Sequence, residues 1–306
     1  MDRLVGQPRV HEQLNCTTSA LLQSHIQRRL ALAEHIAVFT GAGMSAESGV
    51  PTFRDRFEGL WAKYDPMDVA TPWAFKANPQ FVWDWHVQLA DTVRKARPNA
   101  GHHAVASLQS VVKKVSVITQ NIDNLHQAAG SQNVLELHGN LFRLQPFIDE
   151  EAAFADGREP IICPVCDGYA AAEYCDPYAG KEDMENIEVV AGPVPRCPRC
   201  EARLRPAVVW FGEMLDPMVL EGAMAAIDQC DALICIGSSL EVEPAASLPY
   251  RALQRGAVVI EINPSPTTLS ARADASLIGP AGEILPMLLQ TVWSQATVLP
   301  SFDGRE

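Results

Sequence analysis

Two cysteine pairs have the residue type and the spacing of a tetrahedral metal site. The pairs are C-P-V-C at 163–166 and C-P-R-C at 197–200, with 30 residues between them. Four thiolates in this arrangement are typical of bound zinc, and they leave no coordination position for water. The predicted zinc is therefore structural rather than catalytic, with the ligands Cys163, Cys166, Cys197 and Cys200. Cys175 is an alternative ligand, whereas Cys16, Cys230 and Cys235 are interpreted as packing residues or free thiols.

A glycine-rich loop follows an apolar run, since residues 40–55 read T-G-A-G-M-S-A-E-S-G-V-P-T-F-R-D. Gly41 and Gly43 would allow backbone amides to approach a phosphate closely, which suggests a dinucleotide. The pattern differs from G-x-G-x-x-G because Ala46 occupies the place of the third glycine, and no obvious ribose-binding acid follows about 20 residues later. On this motif alone, a tight turn without a ligand remains the alternative.

Polar side chains follow the ends of two further predicted strands. T-Q-N-I-D-N-L-H at 119–126 places Asn121 and Asp123 where they can hydrogen-bond to a carboxamide or a ribose hydroxyl. The alternative is a helix cap, a position that Asn and Asp favour. E-L-H-G-N at 136–140 places His138 at another strand end, where a histidine is either a general base or a structural residue.

Three weaker motifs complete the set. G-S-S-L-E-V-E-P-A at 237–245 offers Ser238 and Ser239 for hydrogen bonds to phosphate or ribose. I-N at the end of the last predicted strand offers Asn263 for an adenosine ribose. R-P-A-V-V-W-F-G-E at 205–213 is either a core strand or part of a binding segment.

The motifs must be positioned by the elements between them. Short β-rich runs occupy 35–40, 114–119, 133–138, 232–237 and 257–263, and several are apolar on both faces, as in a buried parallel sheet. Helical patterns occupy 18–33, 100–112 and 217–229. This alternation predicts an α/β fold with a Rossmann-like, doubly wound parallel sheet.

Two segments interrupt the alternation and predict the domain organisation. Residues 55–98 are rich in Trp, Phe and Pro and are expected to form a helical insertion. Residues 143–206 hold the paired cysteines and are expected to form a small inserted zinc-binding module. The Rossmann-like domain then comprises 18–142 and 207–295, and a tail follows at 296–306.

Composition narrows the class of protein. The chain has 306 residues, 47% of them hydrophobic, and a formal net charge of −13, which argues against direct binding of nucleic acid. The acidic surface either favours basic protein substrates or serves solubility alone. Neither a membrane span nor a signal peptide is recognisable, and the cysteine spacing indicates a reducing compartment, so we expect a cytoplasmic protein. We also expect a monomer.

Taken together, the motifs resemble those of the sirtuin (Sir2) family of NAD-dependent protein deacylases. G-A-G-M-S-A-E-S-G-V-P-T-F-R, T-Q-N-I-D-N-L-H, E-L-H-G, both C-x-x-C pairs, F-G-E, G-S-S-L-x-V-x-P-A and I-N occur in family order from residue 36 to about residue 265. The resemblance implies NAD⁺ as co-substrate, one structural Zn²⁺ and an acyl-lysine protein or peptide as partner. It also implies that His138 is the base and that Asn121 and Asp123 hold the departing carboxamide.

The resemblance implies further contacts to NAD⁺ and to the substrate. Cofactor contacts are implied for Gly41, Ala42, Ser45, Phe53, Arg54, Gln120, Gly237, Ser238, Ser239 and Asn263. Segments 209–215 and 240–243 would clamp the substrate backbone, with Val209, Trp210, Phe211, Gly212, Glu213, Leu240 and Val242 as its contacts.

The chemistry implied is attack of the acyl-lysine oxygen on the ribose carbon as nicotinamide leaves. His138 would then help to deprotonate a ribose hydroxyl, which attacks the resulting imidate, and water would finally release lysine and O-acyl-ADP-ribose.

Acyl preference is expected to favour acetyl or longer neutral chains. Ala46 resembles the small residue of sirtuins with a roomy acyl pocket. Sirtuins that prefer acidic acyl groups carry Tyr-x-x-Arg in the helical insertion, and here His86 and Leu89 occupy those places. A buried carboxylate without a cationic partner is costly, so we expect weak desuccinylase activity.

Three other functions remain as alternatives. An ADP-ribosyltransferase or NAD hydrolase would keep the NAD site and change the acceptor. A non-enzymatic zinc-ribbon module is disfavoured by the acidic charge and the polar strand ends. A hydride-transferring dehydrogenase is disfavoured by the divergent glycine loop.

Overall fold

The computed structural model describes residues 22–51, 64–147, 161–163, 169–170 and 188–293. The strands within these residues are β1 (His35–Thr40), β2 (Lys114–Thr119), β3 (Val134–Glu136), β4 (Gly139–Pro146), β5 (Ile161–Ile162), β6 (Tyr169–Ala170), β7 (Leu204–Val208), β8 (Ala232–Ile236), β9 (Val258–Asn263) and β10 (Ala275–Ile278). The described helices are α1 (Ser24–Ala31), α2 (Pro66–Val69), α3 (Pro72–Ala77), α4 (Pro79–Lys95), α5 (Ala100–Leu108), α6 (Leu125–Ala128), α7 (Pro217–Gln229), α8 (Leu248–Gln254) and α9 (Ala281–Val292).

A six-stranded sheet in the order β10-β9-β8-β1-β2-β3 forms the centre of the molecule. Every pairing within it is parallel. The chain runs outward in one direction from β1 to β3 and in the other from β8 to β10, so the order reverses between β1 and β8. This confirms the predicted doubly wound parallel sheet.

Helices cover both faces of the sheet, as the apolar strands require. Ile36 and Val38 of β1 pack with buried residues of α1, α5 and α9, whereas Ala37 and Phe39 pack with residues of α7 and α8 on the opposite face. Successive side chains of a strand point to opposite faces, so a strand buried on both sides reads as a continuous apolar run. All six residues of β1 are buried.

Several predicted bounds needed correction. The strand expected at 133–138 ends at Glu136, because His138 lies in the connection between β3 and β4. The helix expected at 18–33 is described from Ser24 to Ala31, and the helix expected at 100–112 ends at Leu108. Strand β10 and helix α9 were not predicted, although α9 carries five buried residues.

Two further groups of elements lie outside the six-stranded sheet. Helices α2, α3 and α4 fall within 55–98, and each begins at a capping Asp, Thr or Asn followed by Pro at the first helical position. Strands β4 and β7 form an antiparallel pair, and β5 and β6 form another. In the part of the chain that the structure describes, no helix is long and apolar enough to cross a membrane.

Candidate functional site

The glycine loop and the serine loop meet at the point where the strand order reverses. Gly41 follows β1 and donates its N–H to the carbonyl of Ile236, while Gly43 donates to the carbonyl of Gly237 at 2.9 Å. Open parallel sheets bind ligands outside the carboxyl ends of the strands at such a reversal. The topology therefore identifies this crevice as the candidate site.

Glycine is required in both loops because their backbones touch. A Cβ on Gly43 would lie 2.8 Å from Cα of Gly237, and one on Gly237 would lie 2.4 Å from the backbone nitrogen of Met44. Gly237 also has φ of 60°, in the left-handed region. Glycine is thus needed here because the two loop backbones pack against each other. This reason is separate from the close approach to phosphate that the sequence suggested.

A buried polar network joins the glycine loop to the end of β2. The Ser45 hydroxyl donates to Oδ2 of Asp123 at 2.6 Å and accepts from Nδ2 of Asn121 at 3.1 Å. Oδ1 of Asp123 accepts the backbone N–H of Leu125 at 2.9 Å. Burial raises the pKa of Asp123, and the bonds from Ser45 and Leu125 oppose that shift. Three predicted site residues are therefore in contact, and the carboxylate retains lone pairs for a further donor.

Two residues that the sequence analysis missed support this network. Nδ1 of His102 accepts the backbone N–H of Asn99, so Nε2 carries the proton and faces the Ser45 oxygen at 3.5 Å. Nδ2 of Asn99 donates to the carbonyl of Met44 at 2.8 Å and to Ser48. The signal was available, because Asn99 and His102 have the spacing of a capping box at the start of α5.

A second unpredicted histidine lies beneath the same loops. The Thr40 hydroxyl donates to the Thr119 hydroxyl at 2.8 Å, so Nε2 of His126 donates to Thr40 at 3.0 Å. Thr119 in turn accepts the backbone N–H of Asn121 at 3.0 Å. This chain of bonds ties the ends of β1 and β2 together beneath Asn121. Burial lowers the pKa of His126 to about 4, which keeps the ring neutral.

His138 has one nitrogen engaged and the other available. Its Nδ1 lies 3.1 Å from the carbonyl oxygen of Gln120, which can only accept, so Nδ1 carries the proton. Nε2 is then the basic nitrogen, and it has no hydrogen-bond partner among the described residues. Burial lowers the pKa of His138, and the bond to Gln120 partly opposes the shift. The half-buried ring is therefore set up to accept a proton at Nε2.

The remaining predicted cofactor residues that the structure describes lie beside this centre. Nε2 of Gln120 donates to the Ser238 hydroxyl at 2.9 Å, and Nδ2 of Asn263 donates to the Ser238 carbonyl at 3.0 Å. Ser239 and Ala42 are half-buried in the two loops. Polar groups from the ends of β1, β2, β8 and β9 are thus brought to one edge of the sheet.

Segment 209–213 has most of its backbone donors engaged. Val209 donates its N–H to the carbonyl of His138, Phe211 to the carbonyl of Ala70, and Glu213 to the carbonyl of Trp210. The Trp210 N–H donates to the carboxylate of Glu213 at 2.8 Å. Of the five backbone N–H groups, that of Gly212 alone has no partner in the described parts of the chain.

Trp210 and His86 are buried against each other. The indole N–H donates to Nε2 of His86 at 3.2 Å, and Nδ1 of His86 donates to the carbonyl of Val82 at 2.8 Å. The guanidinium of Arg205 stacks 3.9 Å from the indole centre and forms an ion pair with Glu213. Burial lowers the pKa of His86 to about 4. Both histidine nitrogens are therefore occupied by protein groups.

The other predicted substrate residues differ in exposure. Leu89 is buried in the core of the helical insertion, whereas Ala46 is exposed. Leu240 has φ of 58°, which is uncommon for a residue with a branched side chain, and Val242 is exposed. Such backbone strain is frequent at binding segments.

Three of the four predicted zinc ligands converge. The sulfur atoms of Cys163, Cys197 and Cys200 lie within 4.8 Å of one another, and those of Cys163 and Cys197 are 3.9 Å apart. Four thiolates at about 2.3 Å from a tetrahedral zinc would be separated by about 3.8 Å, so the arrangement fits the ion. Cys166, Phe53 and Arg54 lie outside the described residues, as does Cys175.

Comparison with known proteins gives consistent matches over most of the chain. The model of the Sir2 family matches residues 41–152 and 159–244. A curated relative from Pseudomonas aeruginosa, named NAD-dependent protein deacylase 1, is 42% identical over 261 residues, which is 85% of this chain and 95% of the relative.

Two solved structures show what such relatives bind. A complex of a Sir2 homologue with NAD matches with a TM-score of 0.71 and 39% identity, over 90% of this chain and 95% of its own. A Sir2 protein bound to a myristoylated histone peptide matches with a TM-score of 0.60 and 35% identity, over 88% of this chain and 94% of its own.

Proposed function

The chain belongs to the Sir2 family, and from this premise we propose that it is an NAD-dependent protein-lysine deacylase that releases nicotinamide and O-acyl-ADP-ribose. The observation that carries the proposal is the polar network at the sheet reversal together with the half-buried His138, whose Nδ1 bonds to the Gln120 carbonyl and leaves Nε2 basic. The curated relatives named as NAD-dependent deacylases support it.

The residues at the crevice fit a dinucleotide. Gln120, Ser238, Ser239 and Asn263 supply hydroxyls and amides for ribose and phosphate groups, and Gly41 leaves its loop without a side chain there. Ala42 and Gly237 complete the two loops, and we keep Phe53 and Arg54 as cofactor contacts in the proposal. When bound, NAD⁺ supplies an activated glycosidic bond to nicotinamide.

Asn121 and Asp123 are proposed to hold the nicotinamide carboxamide. Asn121 donates to Ser45 and has its side-chain oxygen available to accept from an amide N–H. Asp123 is fixed by Ser45 and by the N–H of Leu125. Because both side chains are already oriented, binding requires little further ordering of the protein.

His138 is proposed to accept a proton from a ribose hydroxyl at Nε2. The bond from Nδ1 to the Gln120 carbonyl fixes the tautomer that makes Nε2 basic. The lowered pKa keeps the imidazole unprotonated at neutral pH, so the base is present in its active form.

The acyl-lysine polypeptide is proposed to bind between segments 209–213 and 240–243. The Gly212 N–H, which has no partner among the described residues, and the exposed segment 241–243 are available to an extended chain. Val209, Phe211, Leu240 and Val242 flank this path. The bond from the Trp210 backbone N–H to the Glu213 carboxylate holds segment 209–213 in its conformation.

The cysteine cluster is proposed to bind one structural zinc ion, with Cys166 as the fourth ligand. We also retain the predicted division into a sheet domain, a helical insertion and a zinc-binding module, and a cytoplasmic monomer. The free thiols of Cys230 and Cys235, both buried, support a reducing compartment.

Acyl preference is proposed to be for acetyl or longer neutral chains. His86 is neutral and its Nε2 is occupied by the Trp210 indole, while Arg205 is already paired with Glu213. Neither side chain is therefore available as a cation for an acidic acyl group, and Leu89 is apolar.

A panel of otherwise identical acetyl-, myristoyl- and succinyl-lysine peptides, incubated with NAD⁺ and analysed by mass, tests this. We expect NAD-dependent loss of the neutral acyl groups. Succinyl as the best substrate would overturn the acyl preference, and no NAD-dependent loss of any acyl group would overturn the proposed function.

A further inference from the structure

An exposed tryptophan lies beside the segment proposed to bind substrate. Trp73 of α3 is 53% exposed, although tryptophan is usually largely buried. A Cβ built on Gly212 would lie 3.0 Å from Cζ3 of Trp73, so the indole occupies the space beside this glycine. The preceding residue is fixed to the same insertion, because the Phe211 N–H donates to the carbonyl of Ala70 at 2.9 Å.

The position of the indole restricts any chain that pairs with Gly212. The Gly212 N–H has no partner among the described residues, whereas its neighbours in segment 209–213 donate to protein groups. Because the indole lies beside this glycine, we expect a polypeptide that accepts a hydrogen bond from Gly212 to pass near Trp73. This step rests on the proposed function, which assigns segment 209–213 to an acyl-lysine polypeptide.

The chemistry of the exposed indole favours a cation. An arginine or lysine over a tryptophan face is attracted to its negative π surface. The cation–ring contacts among the described residues involve Phe142, Trp210 and Tyr250, so within that part of the chain no cation stacks on Trp73. The net charge of −13 and the exposed Glu241 and Glu243 of the second clamping segment also favour a basic partner.

We propose that Trp73 is a specificity-determining residue that stacks on a cationic side chain, best an arginine, flanking the acyl-lysine of the substrate. The energetic effect of such a contact at an exposed site corresponds to about a twofold to fivefold change in affinity. The effect is expected in KM for the peptide, because the proposed contact is to a flanking side chain of the substrate rather than to a reacting group.

Steady-state kinetics with three acetyl-lysine peptides test the proposal. The peptides differ only in whether Arg, Gln or Leu stands beside the acyl-lysine, scanned over two positions on each side. Wild type is expected to show a KM about twofold to fivefold lower for Arg than for Gln at one position. Trp73→Ala is expected to abolish this difference with kcat unchanged, and Trp73→Phe to retain part of it.

Met67→Ala is the matched control, because Met67 is another exposed apolar residue of the same helical insertion. It is expected to retain the arginine preference. A preference that survives Trp73→Ala and disappears at high salt would overturn the proposal in favour of general charge attraction. Leu as the best flanking residue would overturn it in favour of an apolar subsite. Deacylation without any arginine preference refutes this inference alone, whereas no deacylation of any peptide refutes the proposed function.

Discussion

The indole N–H of Trp210 donates a hydrogen bond to Nε2 of His86 across 3.2 Å, deep between the helical insertion and the proposed substrate segment. His86 was predicted to contact substrate, and in the structure its two nitrogens bond to Trp210 and to the carbonyl of Val82. The bond therefore links helix α4 to the residue that precedes Phe211 and Gly212. We interpret His86 as a positioning residue for that segment.

His86→Phe is expected to raise KM for an acyl peptide several-fold, with KM for NAD⁺ unchanged. The variant leaves the Trp210 N–H buried without an acceptor, which costs about 1–3 kcal/mol of stability. Exchange protection of the Trp210 indole N–H, followed by ¹H–¹⁵N NMR, is expected to fall. His86→Gln retains an acceptor and is expected to restore part of both readouts.

Val93→Ala is the matched control for that experiment, because Val93 is a buried residue of the same helix in a different cluster from Trp210. It is expected to lower stability without changing protection of the Trp210 indole. Equal loss of protection in both variants would contradict a specific role for His86.

Stability is expected to fall as pH falls below about 6.5. Burial lowers the pKa of His86 and of His126 to about 4. Burial, together with the nearby His126, lowers the pKa of His102 to about 2. Their unfolded pKa is higher, so the unfolded state binds more protons between pH 6.5 and 4, and the native state loses stability as pH falls through that window. Each histidine contributes up to about 1.4 kcal/mol per pH unit there.

Chemical denaturation measured from pH 7.5 to pH 4.5 checks this expectation. The slope is expected to become shallower in His86→Gln, because one buried histidine is removed. His25→Gln is the control, since His25 is exposed. A free energy of unfolding that stays flat from pH 7 to pH 5 would contradict the neutral, buried state of these rings.

The sequence predicted the parallel sheet well, because the sheet depends on local apolar patterns. Continuous apolar runs gave the strands at 35–40 and 114–119 with the observed bounds. Motifs at strand ends gave Ser45, Asn121 and Asp123, which the structure joins in one network. Parallel strands bring their carboxyl ends to one edge of the sheet, so a position at a strand end was enough to predict that these side chains lie close together.

The sequence analysis was less successful where contacts between residues distant in sequence determine the surroundings of a side chain. His86 was assigned to substrate because its bond to Trp210 spans 124 residues and leaves no local signal. Gly43 and Gly237 were interpreted separately, although the backbone at each of them leaves no room for a side chain on the other. The short β10 was missed because its strand character depends on pairing with β9.

Gly237→Ala is expected to weaken NAD⁺ binding and to destabilise the protein by well over 1 kcal/mol. The new methyl group would lie 2.4 Å from the Met44 nitrogen, and the backbone must shift at the meeting of the two loops. Gly256→Ala is the control, because Gly256 has φ of 82° but no atom within 4 Å of the added Cβ. It is expected to cost only the backbone strain, about 1 kcal/mol, and to leave NAD⁺ affinity unchanged. Calorimetric titration and thermal unfolding of both variants measure the difference, and equal losses would contradict close packing of the loops.

One zinc ion per chain is expected, and Cys197→Ser is expected to lose it together with much of the thermal stability. The Cys197 and Cys163 sulfurs are already at the separation that a tetrahedral zinc requires. Elemental analysis by mass spectrometry gives the metal content. Cys230→Ser is expected to retain the zinc, because the Cys230 sulfur donates to the carbonyl of Ile227 outside the cluster. Full zinc content in Cys197→Ser would contradict the assignment.

The most direct test of the central claim is the product stoichiometry of wild type and His138→Ala with NAD⁺ and an acetyl-lysine peptide. We expect wild type to form nicotinamide, deacetylated peptide and O-acetyl-ADP-ribose in equal amounts. Loss of the base at Nε2 is expected to lower deacetylation by about 10²–10⁴-fold in His138→Ala while NAD⁺ binding is retained. Nicotinamide released by wild type without deacetylated peptide, or unchanged deacetylation by His138→Ala, would contradict the account.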